Sequence, residues 1–284
     1  MGLASQDLSI RREAGFESLA KAFQEAGDKL ILVVTGAGVS LASGISTFRG
    51  GDSGAVWKEN PMEKGTVRYF QEDPVDAWLW FMKRFGAFEG KEPNPSHDAL
   101  AALERWQQSR GGQFLLVTQN IDSLHEKAGS KEMVKIHGTA DRYRCFEYGC
   151  QHGAPYGSIA KEDVDTSHFL ANPSLKTVPR CPDCGGLIRF HVLWFDEHYL
   201  SHNDYEARRV IKAAGDVAFV LFIGTSFSVG ITSSILELVR QQEKPIFSMN
   251  PGMEEGEFIG IYNLQVRSEE ALPELCRRLG VDGD

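Results

Sequence analysis

The sequence contains no apolar run approaching the roughly 20 residues a membrane-spanning helix needs, so no helical span and no membrane partner are expected. It also lacks a surplus of positive charge: 30 Lys and Arg stand against 39 Asp and Glu, a formal net charge of −9. That balance argues against a direct nucleic-acid partner. The N-terminus shows no apolar core of a secretory leader, and its mixture of Arg11 and Arg12 with Asp7, Glu13 and Glu17 suits a transit peptide poorly, so a cytoplasmic protein is expected. Cysteine is scarce. Of the five present, four fall in two close pairs, which does not describe a spread disulfide framework. Internal repeats and low-complexity segments are missing too. What remains is an ordinary globular composition, 42% hydrophobic and 24% charged, long enough for one large domain with a small appended module.

The chemistry concentrates in residues 114–138. Residues 114–117 are an apolar run of strand length that stops at Thr118-Gln119-Asn120. From Ile121 the pattern predicts a helix, with Asp122 and Ser123 as early capping candidates and Gly129 as its stop. A second short strand over 133–136 then delivers His137, followed by Gly138. Two strand ends thus bring two amides, a carboxylate and an imidazole to the edge of a sheet where ligands bind in open α/β folds. The same residues also suit plain loop and capping duties, with His137 a surface histidine.

Around this stretch, strands alternate with helices. Residues 3–27 are spaced for an amphipathic helix that ends at Gly27, and 30–34 read as a buried strand running into Thr35-Gly36-Ala37-Gly38-Val39-Ser40. A Gly-x-Gly turn between strand and helix lets backbone N–H groups approach a phosphate. Leu41 stands where the hydride-transfer fingerprint has its third glycine, and no acid closes a strand about 20 residues on, so the loop reads as nucleotide-binding without that chemistry. The glycine-dense segment that follows, with Phe48 and Arg49 at its centre, reads as a mobile loop over 46–75 whose arginine suits a diphosphate. Residues 74–87 and 97–106 read as helices, 188–195 as a strand-like run before Asp196-Glu197, and 201–214 as a polar amphipathic helix. A buried parallel-type strand over 217–223 ends in Gly224-Thr225-Ser226, a further strand over 245–249 ends at Asn250, and a last helix over 271–279 has Pro273 in its first turn and Cys276 in its core face. This alternation predicts an α/β fold with a Rossmann-like, doubly wound parallel sheet.

After His137 the composition changes. Cys145-x4-Cys150 and Cys181-x2-Cys184 flank a Gly/Pro/Ser-rich insert, and thiolates in two close pairs suit tetrahedral Zn2+. His152 and His168 are conceivable substitute ligands, but four cysteines complete a shell and leave no position for water, which predicts a structural role. The expected division is therefore a Rossmann-like domain from 1–140 and 190–284 with a small zinc module at 141–189.

In this order, Gly36-Ala37-Gly38-Val39-Ser40, Ser43-Gly44-Ile45, Phe48-Arg49-Gly50, Thr118-Gln119-Asn120-Ile121-Asp122, His137-Gly138, the two cysteine pairs, Val192-Leu193-Trp194-Phe195, Gly224-Thr225-Ser226 and Asn250 resemble the sirtuin family of NAD-dependent protein lysine deacylases over residues 28–280. The chain departs from the family pattern in places: Ser46-Thr47 replaces Pro-Asp before Phe-Arg, Phe195-Asp196-Glu197 replaces Phe-Gly-Glu, and Arg189-Phe190 replaces Arg-Pro. Members that remove acidic acyl groups carry Tyr-x-x-Arg; here the helix reads Phe81-Met82-Lys83-Arg84.

The resemblance implies NAD across the strand ends. The backbone of Ala37 and Gly38 with Ser226 would hold the diphosphate, within a set that includes Gly36, Ser40, Phe48, Arg49, Gly224 and Thr225. Asn250 would meet the adenosine ribose, Ser268 the adenine, Gln119 the nicotinamide ribose, and Asn120 and Asp122 the nicotinamide. His137 would act as general base on a ribose hydroxyl, with Asn120 as its catalytic companion. An acyl-lysine protein or peptide would add as a strand beside Val192, Leu193 and Phe195, with Phe81 and Arg84 at the acyl pocket. Two other readings share the scaffold: an ADP-ribosyltransferase or NAD glycohydrolase, and a non-enzymatic sensor of NAD or ADP-ribose. The residues specify no oligomeric state.

Overall fold

A computed structural model describes residues 2–47, 61–227, 229–253 and 260–281. Its strands are β1 (Leu30–Thr35), β2 (Gln113–Thr118), β3 (Met133–Lys135), β4 (Gly138–Cys145), β5 (Ile159–Ala160), β6 (Ile188–Val192), β7 (Phe219–Ile223), β8 (Ile246–Met249) and β9 (Tyr262–Leu264). The helices are α1 (Gly2–Glu25), α2 (Pro61–Lys64), α3 (Val67–Glu72), α4 (Pro74–Phe85), α5 (Pro95–Ser109), α6 (Leu124–Lys127), α7 (Ser167–Ala171), α8 (Ala207–Ala214), α9 (Gly230–Gln241) and α10 (Ser268–Leu279). Among the described residues no helix is long and apolar enough to cross a membrane.

The expected parallel sheet is present. Six strands run in the order β3-β2-β1-β7-β8-β9, and every pairing is parallel. Continuous apolar strands suit a sheet covered on both faces. In β1, Ile31 and Val33 face a core built with α1, α5 and α10, whereas Leu32 and Val34 face one built with α8 and α9. Strand order reverses between β1 and β7. At this point the backbones come very close: a Cβ on Gly38 would lie 2.7 Å from the Gly224 Cα, and Gly224 itself has φ of 58°. Register aligns Thr35 with Thr118 and Ile223, and Ile223 with Met249, so the residues after these four form one edge.

A second, antiparallel sheet of order β5-β4-β6 carries the cysteine pairs. Its core takes in Trp78, Phe81 and Phe85 of α4 together with Tyr143 and Phe190. The aromatic helix therefore packs on the small sheet. α4 is well delimited by its sequence, because the Asp73 carboxylate accepts the Asp76 N–H at 2.9 Å and Pro74 opens the helix.

Several local expectations change. The helix after Ile121 is a single turn, α6. Residues 201–214 divide into two 3-10 turns and α8, because Glu206 sits at φ of 45° and the His202 ring caps the Asp204 N–H at 3.1 Å. Pro273 lies inside α10, whose first turn begins earlier, at Ser268. β9 was not expected. Of the loop over 46–75, residues 48–60, including Phe48 and Arg49, lie outside the described residues, while 61–75 form α2, α3 and the start of α4.

Gly138 is where the chain leaves one sheet for the other. It has φ of 77°, and a Cβ there would lie 2.2 Å from the His191 carbonyl oxygen. Backbone cannot yield as a flexible side chain does. Gly138→Ala is expected to lower unfolding free energy by roughly 3 kcal/mol, combining left-handed strain and overpacking, measured as the urea midpoint.

Candidate active site

His137 follows β3 and reaches the shared strand edge because the Ile136 N–H continues the ladder to the Thr118 carbonyl at 3.1 Å. Its Nδ1 meets the Gln119 carbonyl at 2.8 Å and its Nε2 the Tyr199 hydroxyl at 3.3 Å. A carbonyl only accepts, so Nδ1 carries the proton and Nε2 presents the lone pair. Burial pulls the ring pKa down to about 4, against a smaller upward pull from the Gln119 carbonyl. The imidazole is therefore a neutral base at physiological pH.

Beside it lies a buried polar chain. Asn120 Nδ2 donates to Ser40 Oγ at 3.1 Å and to the Gly36 carbonyl at 3.2 Å, and Ser40 Oγ donates to Asp122 Oδ2 at 3.0 Å. Burial pushes the Asp122 carboxyl pKa up, with the Leu124 N–H and the Ser40 hydroxyl pulling the other way. Asp122 fills the capping role open to it, since its Oδ1 accepts the Leu124 N–H at 3.1 Å, while its Oδ2 joins the polar chain. Gln119 Nε2 bridges to the Thr35 carbonyl and to Thr225 Oγ1, each at 3.2 Å. Asn250 lies at the same edge, its Nδ2 on the Thr225 carbonyl at 2.8 Å. The structure thus gathers Gly36, Gly38, Ser40, Gln119, Asn120, Asp122, His137, Gly224, Thr225 and Asn250. Ala37 and Ser226 lie in the same two loops.

Other expectations need correction. The Gly38 N–H is not open to a phosphate, because the loops are so close that it donates to the Gly224 carbonyl at 3.0 Å. Ser268 is buried, with its hydroxyl on Ser96 Oγ at 2.9 Å. Phe81 is enclosed by Trp80, Phe85, Phe190 and Trp194, and the Arg84 guanidinium lies 4.3 Å from the Trp80 ring centre. The strand ends at Val192. Beyond it the N–H groups of Leu193, Trp194 and Phe195 donate to the His137 carbonyl at 2.9 Å, Glu197 Oε2 at 2.9 Å and the Gly65 carbonyl at 3.0 Å. This run accordingly offers an added strand no row of open donors.

What holds this segment was missed in the sequence. Glu197 Oε1 and Oε2 accept from Arg189 Nη1 and Nη2 at 2.9 and 3.0 Å, and Arg144 also bonds Oε1. Both arginines are 2% exposed. Burial brings Arg189 down to about 10; in Glu197 burial works upward, yet the two guanidiniums hold its carboxyl below the usual range. An arginine inside the apolar run at 188–195 was the available clue. Glu197→Gln leaves two buried cations with a neutral partner and should cost about 3–5 kcal/mol of stability, read from urea unfolding.

In the small module, Sγ of Cys145 and Cys184 lie 3.4 Å apart, those of Cys150 and Cys181 3.7 Å apart, and all four within 4.8 Å. Tetrahedral zinc with Zn–S bonds near 2.3 Å needs sulfur separations of about 3.8 Å. The four thiols fit that ion. His191, His202 and Asp204 also cluster, but the His202 ring already accepts from the Asp204 N–H at 3.1 Å and contacts the Gly157 carbonyl at 3.0 Å. Arg144, Arg189 and Arg142 act on His191 as well, which disfavours a cation there. One zinc per chain is expected by metal analysis, and a strong chelator should remove it together with the near-UV circular dichroism of the module's aromatic core.

The Sir2 family model matches residues 36–230. An NAD-dependent protein deacylase of Thermus thermophilus is 37% identical over 236 residues, 83% of this chain and 84% of that protein. NAD-dependent protein deacylase 1 of Archaeoglobus fulgidus is 33% identical over 264 residues, 93% of this chain and 97% of that protein. An ADP-ribose complex of a mutant Sir2 homologue superposes with a TM-score of 0.76 at 32% identity, covering 93% of this chain and 96% of that one. A Sir2 homologue in complex with NAD gives a TM-score of 0.75 at 31% identity, covering 93% of each chain. By the span of the family model and the near full-length match of these relatives, the chain belongs to the Sir2 family, the sirtuins.

Proposed function

We propose that the protein is an NAD-dependent protein lysine deacylase that moves the acyl group from lysine to ADP-ribose with release of nicotinamide. The observation that carries the reading is the neutral imidazole of His137, fixed at Nδ1 by the Gln119 carbonyl and with its Nε2 lone pair on the Tyr199 hydroxyl, beside the buried Asn120-Ser40-Asp122 chain. An ADP-ribosyl transfer to water or another nucleophile does not require the activation of a ribose hydroxyl.

The residues present fit NAD. The buried amide of Asn120, hydroxyl of Ser40 and carboxyl of Asp122 suit a carboxamide. Bound NAD supplies an electrophilic ribose carbon, from which nicotinamide departs as the acyl-lysine carbonyl oxygen attacks. Asn120 and Asp122 would hold the carboxamide, Gln119 the adjoining ribose, Asn250 the adenosine ribose, and Phe48 would shield the site from water. His137 then takes the proton of a ribose hydroxyl at Nε2, freeing that oxygen to attack the acyl carbon. The acyl-lysine enters beside Leu193 and Phe195, whose segment is bonded to the His137 carbonyl. With the Arg84 guanidinium over Trp80, an uncharged acyl group is the expected substrate.

His137→Ala should lower acyl-ADP-ribose formation by about 10²–10⁴-fold, followed by mass spectrometry after incubation with NAD and a panel of acyl-lysine peptides. A base must be neutral, so the wild-type rate falls only as pH drops through the lowered His137 pKa, placing the acid limb below 6.5. ADP-ribose without acyl transfer would move the assignment to the glycohydrolase or transferase reading.

A further inference from the structure

Tyr199 opens a 3-10 turn, Tyr199–Ser201, just past the segment bonded to His137. Its ring stacks on the imidazole, with centroids 5.8 Å apart and planes at 23°. On the far side lies the first turn of α9, in ordinary van der Waals range: a Cβ on Gly230 would stand 3.9 Å from Tyr199 Cε2. Burial raises the phenol pKa, against a smaller downward pull from the Ile231 backbone, so the group stays protonated. Since Nδ1–H points at Gln119, the contact at Nε2 runs in one direction only: the Tyr199 hydroxyl donates and the imidazole accepts.

Nε2 has one lone pair. A ribose hydroxyl that gives its proton to this nitrogen must take the place the phenol holds. We propose that Tyr199 is a positioning residue for His137: its hydroxyl holds the Nε2 end of the ring ready before NAD binds and yields that end to the ribose hydroxyl. The imidazole is thereby gripped at both nitrogens, by a carbonyl after β2 and by a phenol wedged against α9. This inference rests on the deacylase reading for the identity of the displacing hydroxyl, although the grip itself does not.

A donor on the lone pair favours neutral imidazole over imidazolium. Its loss should raise the His137 pKa. Around the pair, the loop after β2 contributes the Gln119 carbonyl, α9 the Ile231 backbone, and the turn the phenol itself; among the described residues no charged side chain acts on either ring.

The test is NMR titration of the His137 ring in the full chain without NAD or peptide, comparing wild type with Tyr199→Phe, which keeps the ring, and Tyr199→Leu, which does not. The expected result is a pKa rise of roughly 0.5–1 unit in Tyr199→Phe, a three- to tenfold gain in imidazolium at a given pH, with the acid limb of the acyl-transfer profile moving the same way. An unmoved titration in a folded variant overturns the proposal, since a merely structural tyrosine would leave it in place. The wild-type ¹⁵N spectrum tests the same grip without any variant: the proton must reside on Nδ1, and the opposite tautomer also overturns the proposal. Because the titration needs neither cofactor nor substrate, its failure is distinct from a failure to form acyl-ADP-ribose, which would sink the deacylase reading instead.

Discussion

The Gly36 N–H donates to the Ile223 carbonyl at 2.9 Å and the Gly38 N–H to the Gly224 carbonyl at 3.0 Å, so the loops leaving β1 and β7 are stitched backbone to backbone. Such an approach is open only to residues without a Cβ, and it occurs where the strand order reverses. Everything reactive is hung from that crossing. Gly36 offers its carbonyl to Asn120, Thr225 its hydroxyl to Gln119, and Thr225 its carbonyl to Asn250. The polar side chains of the site are thus oriented by main chain that is itself fixed, which is how a sheet edge becomes preorganised.

The second anchor is electrostatic. In the segment beyond β6, Glu197 is set between Arg144 and Arg189, each supplied by a strand of the antiparallel sheet. Glu197 also takes the Trp194 N–H, so the charge cluster determines the backbone path beside His137. The four-cysteine cluster closes the sheet that presents both arginines, which gives a structural zinc a consequence for the site without touching any reactant.

What could be read from the sequence was what depends on local pattern. Apolar runs ending in glycine or amides located five of the six parallel strands and nearly all the cleft residues, because a buried parallel strand has no polar position to blur it. β9, with only three residues and an exposed Tyr262, carried no such pattern. The cysteine spacing identified the metal cluster for the same local reason. The spatial relations stayed hidden: nothing near Tyr199 in sequence points to a histidine 62 residues earlier, and nothing around Ser268 foretells Ser96. The resemblance to a Tyr-x-x-Arg pattern puts Phe81 at the acyl pocket, whereas tertiary packing encloses it among aromatic rings. Glu206 in a left-handed conformation broke a helix that periodicity alone would have continued.

The long insert between the cysteine pairs changes meaning in this light. Surface insertions usually vary freely in length, since closing a longer loop adds little entropic cost. Here the Pro155 carbonyl accepts the Asn203 N–H at 3.0 Å, the Gly157 carbonyl contacts the His202 ring at 3.0 Å, and the Ser158 hydroxyl donates to Asp204 at 2.9 Å. All three partners sit within five residues of Tyr199. In a lineage of such proteins this surface loop would drift under the constraint of a core, because a deletion on the outside would be felt at the imidazole.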